Sequence, residues 1–256
     1  MKIVFIGAGN LATCMALEMQ KAGMTIGQVY SRTEEHAESL AKKLNCRWTV
    51  KLSDIHTDAN LYIFALRDTV IPEVIAQVAP NDGLWVHTAG SLHINVFDGY
   101  NARYGVFYPL QTFTRNRRVR LEGTPIFIEA KEADDLKMLR KVAIALSGNA
   151  QEADSNKRKY IHLAAVFACN FSNHMYHIAA KILAEQGISH EVFLPLIAET
   201  ADKLHELSPA DAQTGPALRF DQAVMKQQLE LINDPAAQTI YKLISQNIFS
   251  EKISHE

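Results

Sequence analysis

Gly7, Gly9 and Ala12 form a Gly-x-Gly-x-x-Ala run near the start of the chain, a spacing suited to cradling a dinucleotide pyrophosphate. Glycine at 7 permits a tight turn, and glycine at 9 leaves no Cβ between the backbone and a phosphate. Ala12 lets a following helix lie close to its strand, while the N–H groups of Asn10, Leu11 and Ala12 at the helix start face an anion. The surroundings complete the signal. The apolar run Ile3 to Ile6 reads as a strand and the amphipathic stretch Leu11 to Ala22 as a helix.

Which nucleotide is decided at the tip of the second strand, where an acid selects NAD and a cation accommodates the 2′-phosphate of NADP. The chain reads Tyr30-Ser31-Arg32-Thr33 there. Arg32 can pair with the phosphate and stack on adenine, and Ser31 and Thr33 can add hydrogen bonds. NADP is the expected cofactor. Ala65 and Leu66 end the next apolar run and are expected to line the same site.

Candidate chemistry lies further on. His87 could donate a proton near neutrality, or could be a strand-end histidine satisfied by backbone groups. Thr88 and Ser91 could hold a substrate carbonyl or carboxylate, or simply shape the turn around Gly90. On the long helical stretch from Asn156, an ideal helical projection puts Lys159, His162, Asn170, Asn173, His174 and His177 within one arc of about 120°. That stripe is either the solvated face of an amphipathic helix or, in part, the wall of an interdomain cleft where His162 and Asn170 orient a substrate. His174 and His177 have no third partner in sequence, so no metal site is expected. Arg219, in Thr214-Gly215-Pro216-Ala217-Leu218-Arg219-Phe220-Asp221, stands near an apparent helix start. A cation there opposes the macrodipole, which suggests an anion clamp, with a local ion pair to Asp221 or Glu206 as the alternative.

These residues need a scaffold. The first half alternates strand-like runs (Thr25 to Tyr30, Asn60 to Leu66, Gly83 to Thr88, Tyr104 to Tyr108, Pro125 to Ala130) with helical ones (Thr33 to Leu44, Thr69 to Val78, Glu132 to Leu146). This pattern predicts an α/β fold, a Rossmann-type mostly parallel sheet. Strand signals cease beyond about residue 153, and helices are expected over 156–185, 189–207, 218–232 and 235–249. The expected domains are therefore 1–153, binding nucleotide, and 154–256, an all-helical domain for substrate binding and dimerisation. The 256 residues, 48% hydrophobic and 21% charged, suit a two-domain soluble protein. A net charge of −2 offers no basic excess for nucleic acid, and Arg115, Arg117, Arg118 and Arg120 read as a solvated loop. No run reaches membrane-spanning length. Three scattered cysteines point to a reducing, cytoplasmic location. Generous apolar faces on the later helices predict a homodimer.

Several stretches together resemble a known group: Gly7-Ala8-Gly9-Asn10-Leu11-Ala12, His87-Thr88-Ala89-Gly90-Ser91, Pro109-Leu110-Gln111-Thr112-Phe113, the helix from His162 to Asn170, and the Thr214 to Asp221 motif. They are similar to bacterial Rossmann-like proteins with a helical DUF2520 domain, distant relatives of pyrroline-5-carboxylate reductase and of NADP or coenzyme F420-dependent oxidoreductases. The resemblance implies an NADP-dependent oxidoreductase acting on a small carbonyl or imine compound. It adds Gln111 to Thr88, Ser91 and Arg219 as substrate contacts, beside His87, His162 and Asn170 as catalytic candidates. A non-catalytic, redox-sensing NADP binder is the competing reading. Two departures stand out. Members of the group often carry His before Pro-Leu-Gln, where this chain has Tyr108, so a histidine acid fails at that place unless the phenol substitutes for it. The Lys-x-x-x-Asn spacing of β-hydroxyacid dehydrogenases is also missing.

Overall fold

Strand β1 (Lys2–Ile6) sends Ile3 and Phe5 into one apolar layer and Val4 and Ile6 into another, and all four are fully buried. A strand covered on both faces must be apolar throughout, which is why its sequence shows a run rather than an alternation. The computed structural model describes residues 1–114, 117 and 119–255, with the main chain alone at 254 and 255. Arg115 and Arg118 of the expected basic loop lie outside the described residues.

β1 is joined by β2 (Thr25–Tyr30), β3 (Arg47–Thr49), β4 (Leu61–Phe64), β5 (Leu84–His87), β6 (Tyr104–Pro109), β7 (Ile126–Ala130) and β8 (Ala150–Glu152). They form one sheet in the order β3-β2-β1-β4-β5-β6-β7-β8. Pairing is parallel from β3 through β6; β7 runs antiparallel to β6 and parallel to β8. The chain leaves β1 toward β2 and returns on its other side at β4. Such a reversal opens a crevice at the carboxyl ends of the two strands.

Helices fill both faces. Met15 and Met19 of α1 (Asn10–Lys21), Leu40 and Leu44 of α2 (Glu34–Leu44), and Leu139 and Val142 of α4 (Ala133–Ser147) form one layer. Ile71 and Ile75 of α3 (Ile71–Ile75) pack with Phe64, Trp85 and Phe97 in the other.

Contacts divide the chain into two compact units, Met1–Cys169 and Asn170–Glu256. The break falls later than the one expected after residue 153, because α5 (Ser155–Ala165) is pinned to the sheet unit. Arg158 on that helix is fully buried and bonds to Glu129 of β7, to Ser155 Oγ and to the Leu92 carbonyl. A π-helical segment, Val166–Phe171, follows and leads into α6 (Ser172–Glu185). The second unit continues with α7 (Leu194–Asp202), α8 (Pro216–Arg219), α9 (Gln222–Glu230) and α10 (Pro235–His255). The single helix expected over 218–232 is two, because Phe220 adopts a left-handed backbone, φ 55°. Asp221 then caps α9 by accepting a hydrogen bond from Val224 N–H at 3.2 Å.

Candidate functional site

The turn after β1 is shaped by what surrounds it. Gly7 has φ +123°, and a Cβ there would lie 2.2 Å from the Ala65 carbonyl oxygen and 3.2 Å from Leu66 Cδ2. Its N–H donates to the Tyr30 carbonyl at 2.8 Å, which ties the turn to the tip of β2. Gly9 is different: extended backbone, and nothing within 4 Å of a built Cβ. It opens α1, and no side chain caps that helix start. The first turn carries no acidic residue. Unsatisfied N–H groups and the positive end of the helix dipole therefore face open space above Gly9, a ready anion cradle. Asn10 spends its side chain otherwise, donating to the Phe113 carbonyl at 3.2 Å and tying the loop after β6 to the cradle.

Arg32 and Thr33 are exposed at the tip of β2, and Ser31 is half-buried. Ser31 Oγ accepts from Thr33 N–H at 3.3 Å, and the Thr33 side chain makes no cap on α2. Among the described residues no hydrogen bond or ion pair engages Arg32. Its charge is nonetheless close enough to oppose the rise that burial imposes on the Tyr30 phenol. A cation held at this tip without a protein partner fits a 2′-phosphate.

Further along the same edge the structure overturns one assignment. His87, at the end of β5, is fully buried, stacks on Phe97 and accepts the Ala89 N–H on Nδ1 at 3.2 Å. Burial, aided by the Arg158 charge, pushes its pKa down to about 3. A ring that stays neutral and sealed cannot serve as the proton donor considered for it. Thr88 is buried as well, whereas Ser91 is exposed and its hydroxyl donates to the Asp68 carboxylate. Gln111 is exposed, and its side-chain carbonyl accepts from Thr112 N–H at 2.8 Å.

His162 lies at this edge too. Its Nδ1 is 3.0 Å from the Tyr108 hydroxyl, and its ring sits where a side chain on Gly90 would otherwise be. Asn170 is exposed and belongs to the second unit. Arg219, in that unit, is exposed and closes α8 rather than opening a helix. In a helix of four residues its first and last turns are the same, so the dipole does not decide between the anion clamp and the ion pair. Asp68 and Arg158 were not singled out from sequence. The one signal available for Arg158 is its place four residues before His162 on the same helix.

Comparison with known proteins agrees with this geometry. A family model described as NADP oxidoreductase, coenzyme F420-dependent, matches residues 2–88, and one described as a domain of unknown function, DUF2520, matches residues 124–248. A crystal structure of BF3122 from Bacteroides fragilis, described as a "putative NADP oxidoreductase", is 46% identical, with a TM-score of 0.91. The match covers 97% of this chain and 98% of that one. Pyrroline-5-carboxylate reductase 3 of Mus musculus is 23% identical over 225 residues, 83% of this chain and 80% of that protein. A reductive aminase from Aspergillus terreus, in complex with NADPH and ethyl-5-oxohexanoate, is 16% identical, with a TM-score of 0.73 over 97% of this chain and 91% of that one. The likeness to the aminase is one of fold.

Proposed function

We propose that this chain, which belongs to the family of Rossmann-like NADP oxidoreductases with a DUF2520 region, reduces a small carbonyl or imine compound at the carboxyl edge of its sheet. One observation carries the reading: an uncapped helix start above Gly9 stands beside a β2 tip that offers Arg32, and no acid at the tip itself, to a ribose phosphate.

The N–H groups of Asn10, Leu11 and Ala12 hold the pyrophosphate, and Gly9 keeps its approach clear. Arg32 pairs with the 2′-phosphate while Ser31 and Thr33 add hydrogen bonds. Ala65 and Leu66 close against Gly7 and border the cradle. Bound NADPH supplies the hydride, so the protein needs no covalent nucleophile. Its own tasks are to hold the substrate, to exclude water and to supply a proton. Ser91 and Gln111 are exposed polar groups for the first task.

A homodimer is part of the proposal. Among the described residues of Asn170–Glu256, only Ala217, Ala237 and Ser245 are buried, while Leu196 and Leu231 are 67% and 74% exposed. An apolar surface of that extent is best covered by a second copy. None of the three cysteines is in a disulfide, which suits the cytoplasm. Among the described residues no helix is long and apolar enough to cross a membrane.

The test is a panel of small ketones, oxo acids and imines, with NADPH and NADH oxidation followed by absorbance. Turnover of at least one compound, with NADPH preferred, is expected. Tight NADPH binding with no compound turned over would refute the reductase reading in favour of a cofactor sensor.

A further inference from the structure

We infer that Tyr108 is the proton donor of the reduction and that His162 positions its hydroxyl; the inference rests on the NADP-dependent reduction proposed above. In the sheet, His87 of β5 pairs with Val106 of β6. Tyr108, two residues on, therefore reaches past the end of β5 at the edge that carries the nucleotide cradle. Its ring stacks on Phe127, and its hydroxyl meets His162 Nδ1 at 3.0 Å. Only 8% of the residue is exposed, so the phenol sits in a shielded rim rather than in bulk solvent.

The contact is built from both sides. A Cβ on Gly90 would lie 2.5 Å from His162 Cγ and 2.7 Å from Nδ1, so the ring occupies space that only glycine leaves. One turn earlier on α5, buried Arg158 fixes the helix to Glu129, Ser155 and the Leu92 carbonyl. Ser155 Oγ also accepts from Ile94 N–H at 3.0 Å. The helix start is capped by Asp154, which accepts from Lys157 N–H at 2.8 Å. Such support is what holds a catalytic hydrogen bond to a fraction of an ångström.

The charges around the phenol suit a donor. Burial and the Asp68 carboxylate raise its pKa above the usual tyrosine value, and Arg158 opposes them. Arg158 is itself paired with Glu129, the Asp68 carboxylate is engaged by Ser91, and His87 is neutral near pH 7. The phenol is therefore protonated at working pH. With the ring proton on Nδ1, His162 donates to the phenol oxygen and leaves the phenol O–H free for the substrate. The step balances. The carbonyl or imine carbon accepts hydride, its π pair moves onto oxygen or nitrogen, and that atom takes the Tyr108 proton. The phenolate that remains is held by the His162 N–H until water returns a proton.

The experiment uses the full chain with Tyr108→Phe, His162→Gln and Gly90→Ala. Tyr108→Phe should bind NADPH as the unaltered protein does by fluorescence titration, keep its melting temperature, and lose about 100-fold or more in kcat with KM little changed. His162→Gln should lower kcat by about 10-fold, because glutamine can donate a hydrogen bond but does not place its N–H where the ring Nδ1 stands. Gly90→Ala should lower kcat by displacing the ring, although it alters no polar group. A second readout needs no cofactor: the ¹⁵N resonances of the His162 ring in the apo protein should report a proton on Nδ1, and Tyr108→Phe should shift them. Turnover within threefold of the unaltered protein in Tyr108→Phe, with NADPH binding intact, would overturn the donor assignment alone. Failure of the unaltered protein to bind NADPH would overturn the nucleotide reading beneath it.

Discussion

Gly7 and Gly9 belong to one motif, yet alanine at each should fail in a different way. At Gly7 the new Cβ would stand 2.2 Å from the Ala65 carbonyl oxygen and 2.9 Å from its carbon, both backbone atoms within the sheet edge. The φ of +123° adds conformational strain of about 1–3 kcal/mol. Overpacking contributes a similar amount, so the sum is about 4 kcal/mol, or roughly 8–16 °C in melting temperature for a chain of this size. At Gly9 the backbone is extended, φ −77° and ψ −174°, and no atom lies within 4 Å of the new Cβ. Folding should change by no more than about 0.5 kcal/mol. The methyl group would instead enter the space a pyrophosphate needs. Loss of one charge-assisted hydrogen bond weakens NADPH by about 1.5–3 kcal/mol, roughly 10- to 150-fold in Kd. Thermal melts and NADPH fluorescence titrations on both variants separate the two failures. A Gly9→Ala protein that binds NADPH normally would refute the cradle, and a Gly7→Ala protein that melts normally would refute the steric account of the turn.

Arg32→Ala should weaken NADPH by about 1.5–3 kcal/mol and leave NADH almost unchanged; equal losses in titrations of both cofactors would remove the phosphate assignment. His87 should shape acid stability. Unfolded, it titrates near pH 6.5, whereas the folded ring resists protonation until about pH 3. Its folded pKa is depressed, so its contribution is complete above pH 6.5 and is lost as pH falls toward 3. The total is of order 5 kcal/mol, with a slope of at most about 1.4 kcal/mol per pH unit. His87→Phe should flatten denaturant-derived stability between pH 6 and 4, and an unaltered slope would mean that the ring is not sealed. Light scattering at micromolar concentration should give the mass of a dimer; a monomer would mean that the exposed leucines of the second unit need no partner.

The strand, turn and helix of the proposed nucleotide cradle were legible because they are local. Strand, glycine turn and helix lie within about twenty residues, and the meaning of Gly7 and Gly9 does not depend on distant packing. The place of Arg32 just beyond β2 was legible for the same reason, since the apolar run marks the end of that strand. His87 was not. Its place at a strand end follows from sequence, but its burial depends on Phe97 and Arg158, which arrive from other elements. β3 and β8, three residues each, are too short and too polar to show a period. The helix start at Pro216 was legible, but its end after four residues was not, because it rests on one backbone angle, the left-handed Phe220.

The polar stripe on the long helix shows a more general limit of reading by period. Projecting Lys159, His162, Asn170, Asn173, His174 and His177 onto one arc assumes an unbroken 3.6-residue turn. The π-helical segment Val166–Phe171 lies between the first two and the rest. A π turn takes in more residues than an α turn, so a step of 100° per residue does not hold through it. Phe167 and Phe171, within the π segment, are 61% and 49% exposed. What identifies His162 is not its stripe but its contacts, the Tyr108 hydroxyl and the space above Gly90. Tyr108 comes from β6 and Gly90 from the loop after β5, both far away in sequence. Helical periodicity selects a face only as far as the helix stays regular, and π segments are frequent at functional sites. In this chain, the irregular turn starts four residues after His162.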